Sequence, residues 1–97
     1  MSFTRDQLEE AVDIVRATML ATPQYAWPLL AEALGAEVWV KHENHTPTGA
    51  FKVRGGLVYV EHLRRGRPHV AGVISATRGN HGQSVAFACR AKGVAAT

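Results

Sequence analysis

The sequence predicts an α/β fold in which helices flank an open, mostly parallel sheet. Helical and strand-like segments alternate after residue 35, and two of the strand-like segments are each followed by a glycine-containing turn and a helix. Strands that alternate with helices form parallel sheets with right-handed crossovers. The 97 residues, 46% of them hydrophobic, are enough for one small domain with one modest core.

Residues 4–19 are predicted to form the first helix. Thr4 and Gln7 have the spacing of a capping box, in which each side chain satisfies a free backbone N–H near the helix start. Apolar residues at helical spacing predict its buried face: Leu8, Ala11, Val12, Val15 and Met19. Thr22-Pro23 then marks a loop, because a residue before proline disfavours the helical conformation. A short second helix follows, with Pro28 suited to its first turn and Gly35 to its C-terminal cap.

The middle of the chain predicts a strand, a loop and a long helix. Residues 37–42 form the strand, with Val38 and Val40 on one side, and the polar residues 42–49 form the loop. Residues 50–65 form the helix. Gly55 and Gly56 are unusual inside it, since each costs about 1 kcal/mol relative to alanine. We therefore expect a closely packed neighbour or a ligand at these two positions.

In the last third of the sequence, residues 70–76 are predicted to form a buried strand and residues 77–82 a turn. A helix is predicted from about residue 83 to 92, and it ends at Gly93. Val85, Ala88 and Cys89 form the apolar stripe of this helix. Residues 94–97 have the pattern of another strand. We expect residues 1–97 to be the N-terminal portion of the catalytic domain of a longer chain.

Composition and charge disfavour several classes of protein. The formal net charge is only +3, and the densest basic run, Arg64, Arg65 and Arg67, is typical of a solvated helix end rather than a nucleic-acid patch. A single cysteine excludes an intrachain disulfide. No secretory signal is visible, and no apolar run approaches the roughly 20 residues that span a bilayer. We expect a cytoplasmic protein without nucleic-acid or membrane partners.

Two strand–loop–helix junctions, residues 45–56 and 75–84, carry the residues suited to chemistry. In an open α/β sheet, ligands bind beyond the carboxyl ends of the strands, where both junctions are expected to lie. A helix N-terminus also offers free N–H groups and partial positive charge to phosphate or carboxylate groups. His42 and His45 lack further ligands nearby, so the sequence does not predict a metal site.

The first junction resembles the lysine motif of fold-type-II pyridoxal-phosphate (PLP) enzymes, with their tryptophan-synthase-β-like fold. The resemblance is greatest to threonine/serine dehydratases and serine racemases. The matching residues lie in this junction and in the four residues before it: Lys41, Glu43, Asn44, Thr48, Gly49, Ala50, Phe51, Lys52, Arg54 and Gly55. The second junction resembles the Ser-x-Gly-Asn-His-x-Gln loop of the same family. Its matching residues are Gly79, Asn80, His81 and Gln83.

The resemblance implies that Lys52 is the catalytic residue and holds the cofactor, pyridoxal 5'-phosphate, through an imine. A helix N-terminus and partial burial would both favour the neutral amine that this bond requires. The same amine would move protons at the Cα of a small amino-acid substrate. Loss of the 3-hydroxyl by β-elimination, followed by hydrolysis, would convert threonine or serine to a 2-oxo acid and ammonia.

The resemblance also assigns the neighbouring residues. Phe51 would pack beside the cofactor, and Asn80 would hydrogen-bond the ring hydroxyl of PLP. The substrate carboxylate would lie at the start of the last helix, against Thr77, Arg78, Gly79 and His81.

Two departures from the family pattern leave alternatives open. Thr77-Arg78 replaces small residues, and Arg78 is suited to pairing with a second substrate carboxylate. His45-Thr46 replaces residues that are often apolar. The alternatives are a serine racemase, a 3-hydroxyaspartate dehydratase, or an inactive structural fragment, because the phosphate-binding loop of the family is not found in residues 1–97. The full-length enzyme is expected to be a homo-oligomer.

Overall fold

The computed structural model describes residues 2–97, which form four α-helices and a two-stranded sheet. Their order is α1 (Arg5–Arg16), β1 (Gln24–Ala26), α2 (Pro28–Leu34), β2 (Trp39–Lys41), a 3₁₀ turn (Glu43–His45), α3 (Lys52–Gly66) and α4 (Asn80–Lys92). Of the helices in this described part, none is long and apolar enough to cross a bilayer.

The helix ends follow the predicted signals. The backbone N–H of Thr4 donates to Oε1 of Gln7 at 2.9 Å, and the backbone N–H of Gln7 donates to Oγ1 of Thr4 at 3.2 Å, which completes the capping box. Pro28 is the first residue of α2. Gly35 and Gly93 end their helices in the left-handed conformation, with φ of 64° and 70°. Glycine adopts this conformation without a steric penalty, which confirms both caps.

The core lies where α3 packs on α4, with α1 against the other side of α3. The faces predicted for α3 and α4 are confirmed. Their buried residues include Val53, Leu57, Val60, Val85, Ala88 and Cys89. The face predicted for α1 was partly wrong, because Leu8 and Val12 are 51% and 46% exposed, and the buried residues are Ile14, Val15 and Met19. Only the C-terminal part of α1 is buried, and a groove of about 550 Å³ separates the rest from α3.

The sheet differs from the predicted one. β2 pairs in antiparallel register with β1, so that Gln24 lies opposite Lys41 and Ala26 opposite Trp39. Strand β1 was not predicted, because three residues between Pro23 and the tryptophan before α2 are too few to show an alternating pattern. The helix α2 between the two strands has no buried residue, so the hairpin and its helix do not contribute to the core.

Within residues 2–97, parallel pairing is limited to one bridge between the two segments predicted as the last strands. Val73 pairs with Ala96, the Val73 N–H donates to the carbonyl oxygen of Ala95 at 2.8 Å, and the Thr97 N–H donates to that of Val73 at 2.9 Å. The direction of pairing is the predicted one. Residues 2–97 do not contain the complete parallel sheet.

An ion cluster joins the C-terminal ends of α3 and α4. The buried carboxylate of Glu61 lies 2.9 Å from Nζ of Lys92, 2.7 Å from Nε of Arg65 and 3.0 Å from Nη2 of Arg64. These cations, Lys92 first, hold the pKa of Glu61 at about 2 instead of the ordinary 4.5. Lys92 makes the link between the two helices, whereas Arg64 and Arg65, predicted to be solvated, pair with Glu61 of their own helix and remain about half exposed.

Candidate functional site

Lys52 is the first residue of α3, directly after the polar loop of residues 46–51. Its side chain is exposed rather than partly buried as the sequence predicted. Nζ lies 5.8 Å from the ring centroid of Phe51, which is itself 62% exposed. Among residues 2–97, no carboxylate lies within ion-pair distance of this amine. The amine is therefore accessible to a ligand.

The loop before Lys52 is closed by Thr46. The backbone N–H of Ala50 donates to its Oγ1 at 2.9 Å, and the hydroxyl donates to the carbonyl oxygen of Ala50 at 2.8 Å. Gly49 contributes a third bond, from its N–H to the carbonyl oxygen of Thr46 at 3.0 Å, and has a left-handed φ of 71°. Thr46, identified in the sequence only as a departure from the family pattern, fixes the path of the chain into α3.

A second contact joins the first turn of α3 to the 3₁₀ turn. Arg54 donates from Nε and Nη2 to the two carboxylate oxygens of Glu43, at 2.6 and 2.9 Å. The Thr22 hydroxyl also donates to Glu43, at 2.6 Å, and it accepts from Arg54 at 3.2 Å. Hydrogen bonds from Arg54 and Thr22 lower the pKa of Glu43 to about 2, so the carboxylate stays ionised. A bidentate pair of this kind has a defined geometry, and here it orients the start of α3.

The helices α3 and α4 meet at Lys52 itself. The hydroxyl of Ser84, a residue only 1% exposed, donates to the backbone carbonyl oxygen of Lys52 at 2.7 Å. Gly56 makes this approach possible. A Cβ at that position would overlap Oγ of Ser84 and lie 3.0 Å from its carbonyl oxygen. The expected close neighbour is therefore confirmed for Gly56. A close neighbour is absent at Gly55, which has open space where a side chain would be, so that only the alternative of a ligand stays a prediction there.

The second junction forms a tight turn at the start of α4. Oγ1 of Thr77 accepts the backbone N–H groups of Gly79 at 3.3 Å and Gly82 at 3.0 Å. The helix begins at Asn80 rather than near residue 83. Asn80 is the first helical residue and Gly79 occupies the cap position, so Asn80 does not act as the N-cap. The Thr77 side chain thus provides an acceptor for one free N–H group of the first turn, that of Gly82, and for the N–H of the cap residue Gly79.

The other residues predicted at the second junction face outward. Asn80, Arg78 and His81 are exposed. Arg78 forms no ion pair with any residue from 2 to 97. The bond from Ser84 to Lys52 lies about one helical turn beyond Asn80, because residues three and four apart are neighbours on a helix surface. The structure thus brings the two predicted junctions to the same end of the α3–α4 pair.

His42 and His45, just before and at the start of the first junction, take part in an aromatic cluster. Nε2 of His42 accepts the indole N–H of Trp27 at 2.9 Å, and the rings of His42 and His45 lie 6.1 Å apart. That bond uses the lone pair that a metal ion would need. In the part of the chain that the structure describes, no three His, Cys, Asp or Glu side chains gather as a metal site.

Sequence reasoning missed the residues that hold the site together. Ser84 and Thr22 received no role, and Glu43 and Arg54 were identified only as matching residues. A signal was present for Ser84, because it precedes Val85 on the buried side of α4, where a polar residue needs a partner. The contact from Thr22 to Glu43 spans 21 residues of sequence and has no comparable local signal.

Comparison with known proteins agrees with the resemblance. Residues 15–97 match the family model described as "Pyridoxal-phosphate dependent enzyme". The chain is 34% identical over 94 residues to the L-threonine ammonia-lyase of Thermotoga maritima, covering 97% of this chain and 23% of that protein. It is 38% identical over 90 residues to the L-threonine ammonia-lyase of Geobacter sulfurreducens, covering 93% of this chain and 22% of that protein.

A solved structure extends the likeness to the backbone. The crystal structure of a pyridoxal 5'-phosphate-dependent aspartate racemase has a TM-score of 0.91 and 31% identity, and the match covers 99% of this chain and 31% of the other. The chain thus spans about a quarter to a third of the length of these relatives.

Proposed function

Because the chain belongs to the pyridoxal-phosphate dependent enzyme family, whose cofactor is PLP, we propose that it is the N-terminal portion of a threonine or serine dehydratase. The complete enzyme would eliminate water from the hydroxy amino acid and release a 2-oxo acid and ammonia. The names of the two sequence relatives from Thermotoga maritima and Geobacter sulfurreducens support this reaction, since both are L-threonine ammonia-lyases.

The residues present fit an aldehyde cofactor. Imine formation needs an amine that is accessible and not held in an ion pair, and Lys52 meets both conditions within residues 2–97. Gly79 leaves open space at the opposite turn. Oγ1 of Thr48, in the loop before Lys52, is buried and has no partner among the described residues. A buried hydroxyl without a partner is costly, so a ligand group that bonds it would stabilise the loop.

The observation that carries the proposal is the accessible amine of Lys52 at the start of α3, beside the start of α4. When bound, PLP supplies an electron sink for the Cα–H bond that must break. The Lys52 amine would accept the Cα proton and pass it to the 3-hydroxyl, so that the Cβ–O bond would break with loss of water. The exposed N–H end of α4 suits the substrate carboxylate.

The test is covalent trapping in the full-length protein. PLP is added, the imine is reduced with borohydride, and the modified peptide is identified by mass spectrometry. We expect the label on Lys52, its loss in Lys52→Ala, and its retention in Lys41→Ala, a neighbouring lysine on β2. A label on another lysine, or ammonia release from threonine by Lys52→Ala at the wild-type rate, would refute the assignment.

A second candidate is a PLP enzyme for a dicarboxylic amino acid, either a racemase or a 3-hydroxyaspartate dehydratase. Two observations favour it. The solved structure compared above is an aspartate racemase, and the exposed guanidinium of Arg78 has no carboxylate partner among residues 2–97. An arginine can bind a carboxylate through two parallel hydrogen bonds, which would distinguish such a substrate from threonine.

Substrate profiling distinguishes the two candidates. Wild type, Arg78→Ala and Arg90→Ala would be assayed with threonine, serine, 3-hydroxyaspartate and aspartate. Arg90, in the last turn of α4, is the matched control. If Arg78 binds a second carboxylate, its loss should raise KM for the dicarboxylic substrates roughly tenfold or more, since one charge-assisted bond contributes about 1.5–3 kcal/mol. Equal activity of both variants on all substrates would contradict this role.

A further inference from the structure

The hydroxyl of Ser84 has an unusual partner. A buried serine in a helix commonly bonds the carbonyl oxygen four residues earlier in its own helix. Ser84 instead donates across the interface, 2.7 Å from the carbonyl oxygen of Lys52. The bond joins the backbone of the candidate catalytic lysine directly to the neighbouring helix.

The other side of the interface is adapted to this bond. Gly56 lies one turn after Lys52 in α3, and a side chain there would overlap the Ser84 hydroxyl. Gly55, next to it, has no atom within 4 Å of the position of a Cβ. The absence of a side chain at Gly56 therefore allows the two helices to approach at the level of the lysine.

The bond also fixes a distance that the proposed chemistry needs. Lys52 is the first residue of α3, and Ser84 lies one turn beyond Asn80, the first residue of α4. A shift of α4 along α3 would move Asn80 relative to Lys52, and the Ser84 bond opposes that shift. Misplacement of reacting groups by about 1 Å can cost about a hundredfold in rate.

We propose that Ser84 is a positioning residue for Lys52, holding the start of α3 at a fixed separation from the turn of residues 79–81. The inference rests on the proposed PLP function of Lys52. It goes beyond that function by assigning a role to a hydroxyl that is buried between the two helices. A purely structural hydrogen bond would contribute to stability without affecting the reactivity of the lysine.

The experiment compares Ser84→Ala with Ala88→Gly in the full-length protein. Ala88 is fully buried one turn further along α4, and glycine there costs about 1 kcal/mol, similar to one lost hydrogen bond. Both variants should lose similar stability in urea. Only Ser84→Ala should trap PLP on Lys52 more slowly, roughly tenfold or more, and show a lower kcat with little change in KM.

The outcomes separate the two proposals. Wild-type trapping and kcat in Ser84→Ala, with stability lowered as in Ala88→Gly, would overturn the positioning role. If the wild-type protein takes up no PLP, the proposed function fails. The effect of the bond from Ser84 to Lys52 is then measured by hydrogen exchange at the first turn of α3. Unchanged exchange there in Ser84→Ala would overturn the inference as well. Should Ser84→Ala not fold, Gly56→Ala displaces the same hydroxyl and must give the same slow trapping.

Discussion

Gly56→Ala is expected to destabilise the protein, although alanine favours helices more than glycine does. Gly56 lies within α3, where its backbone faces Ser84 of α4. The added methyl group would overlap the Ser84 hydroxyl and lie 3.0 Å from the Ser84 carbonyl oxygen. The hydroxyl must therefore rotate away, which breaks its bond to Lys52, and the backbone of α4 must move slightly.

The magnitude follows from three contributions. Overpacking a tight contact costs about 1–3 kcal/mol, and the lost hydrogen bond costs about 1 kcal/mol. The helix preference of alanine offsets about 1 kcal/mol of this. The net loss in the free energy of unfolding should be about 1–3 kcal/mol. Gly55→Ala, where the methyl group meets no atom within 4 Å, should instead stabilise by about 1 kcal/mol.

The assay is urea unfolding of the full-length apoprotein, followed by far-UV circular dichroism, for both glycine variants. Gly56→Ala should also be measured with Ser84→Ala, because the double variant lacks the overlapping hydroxyl. We expect the destabilisation caused by Gly56→Ala to be smaller by about 1 kcal/mol or more when residue 84 is already alanine. The reasoning is refuted if the two glycine variants are equally stable, or if the cost of Gly56→Ala is the same with and without the hydroxyl.

Three further predictions concern the polar contacts. Arg54→Lys keeps the charge but not the paired hydrogen bonds to Glu43, so urea unfolding should show that the free energy of unfolding falls by about 1–3 kcal/mol. An unchanged urea midpoint would contradict the role of the Arg54–Glu43 pair. Thr77→Val removes the acceptor of two N–H groups, so the free energy of unfolding should fall by about 0.5–2 kcal/mol. Hydrogen exchange should quicken at the start of α4, and unaltered exchange there would argue against this role of Thr77. Since Lys92 contributes most to lowering the pKa of Glu61 from 4.5 to about 2, the stabilisation is complete above pH 4.5 and lost as the pH falls towards 2. Lys92→Met should weaken that acid dependence in pH-dependent unfolding, and an identical pH profile would count against the cluster.

Local signals in the sequence were sufficient for four of the helix ends, but α4 begins at Asn80 rather than near residue 83, and α1 ends at Arg16 rather than at residue 19. The capping box at Thr4, the proline that starts α2 and the two glycine caps depend on residues a few positions apart, so the sequence contains the whole interaction. The buried faces of α3 and α4 were predictable for the same reason, since each helix carries one continuous apolar stripe that lies in the core.

Features that depend on a distant partner were not predictable. The apolar stripe of α1 is real, but it is buried only around Ile14 and Val15, and Leu8 and Val12 line a groove instead. Strand β1 is three residues long and exists because β2 lies beside it. In both cases tertiary packing, rather than the local pattern, decides which residues are buried or paired.

The polar residues of the two junctions divide into two groups with different expected behaviour. Glu43, Arg54, Thr77 and Ser84 are bonded within the protein, and their bonds fix loops and helix starts. The amine of Lys52, by contrast, has no ion-pair partner among residues 2–97. Substituting a bonded residue should therefore change stability and the placement of the lysine together, whereas Lys52→Ala should leave the fold stable and remove cofactor attachment. Within residues 2–97, this division between bonded residues and an amine without an ion-pair partner is what the proposed attachment of PLP to Lys52 requires.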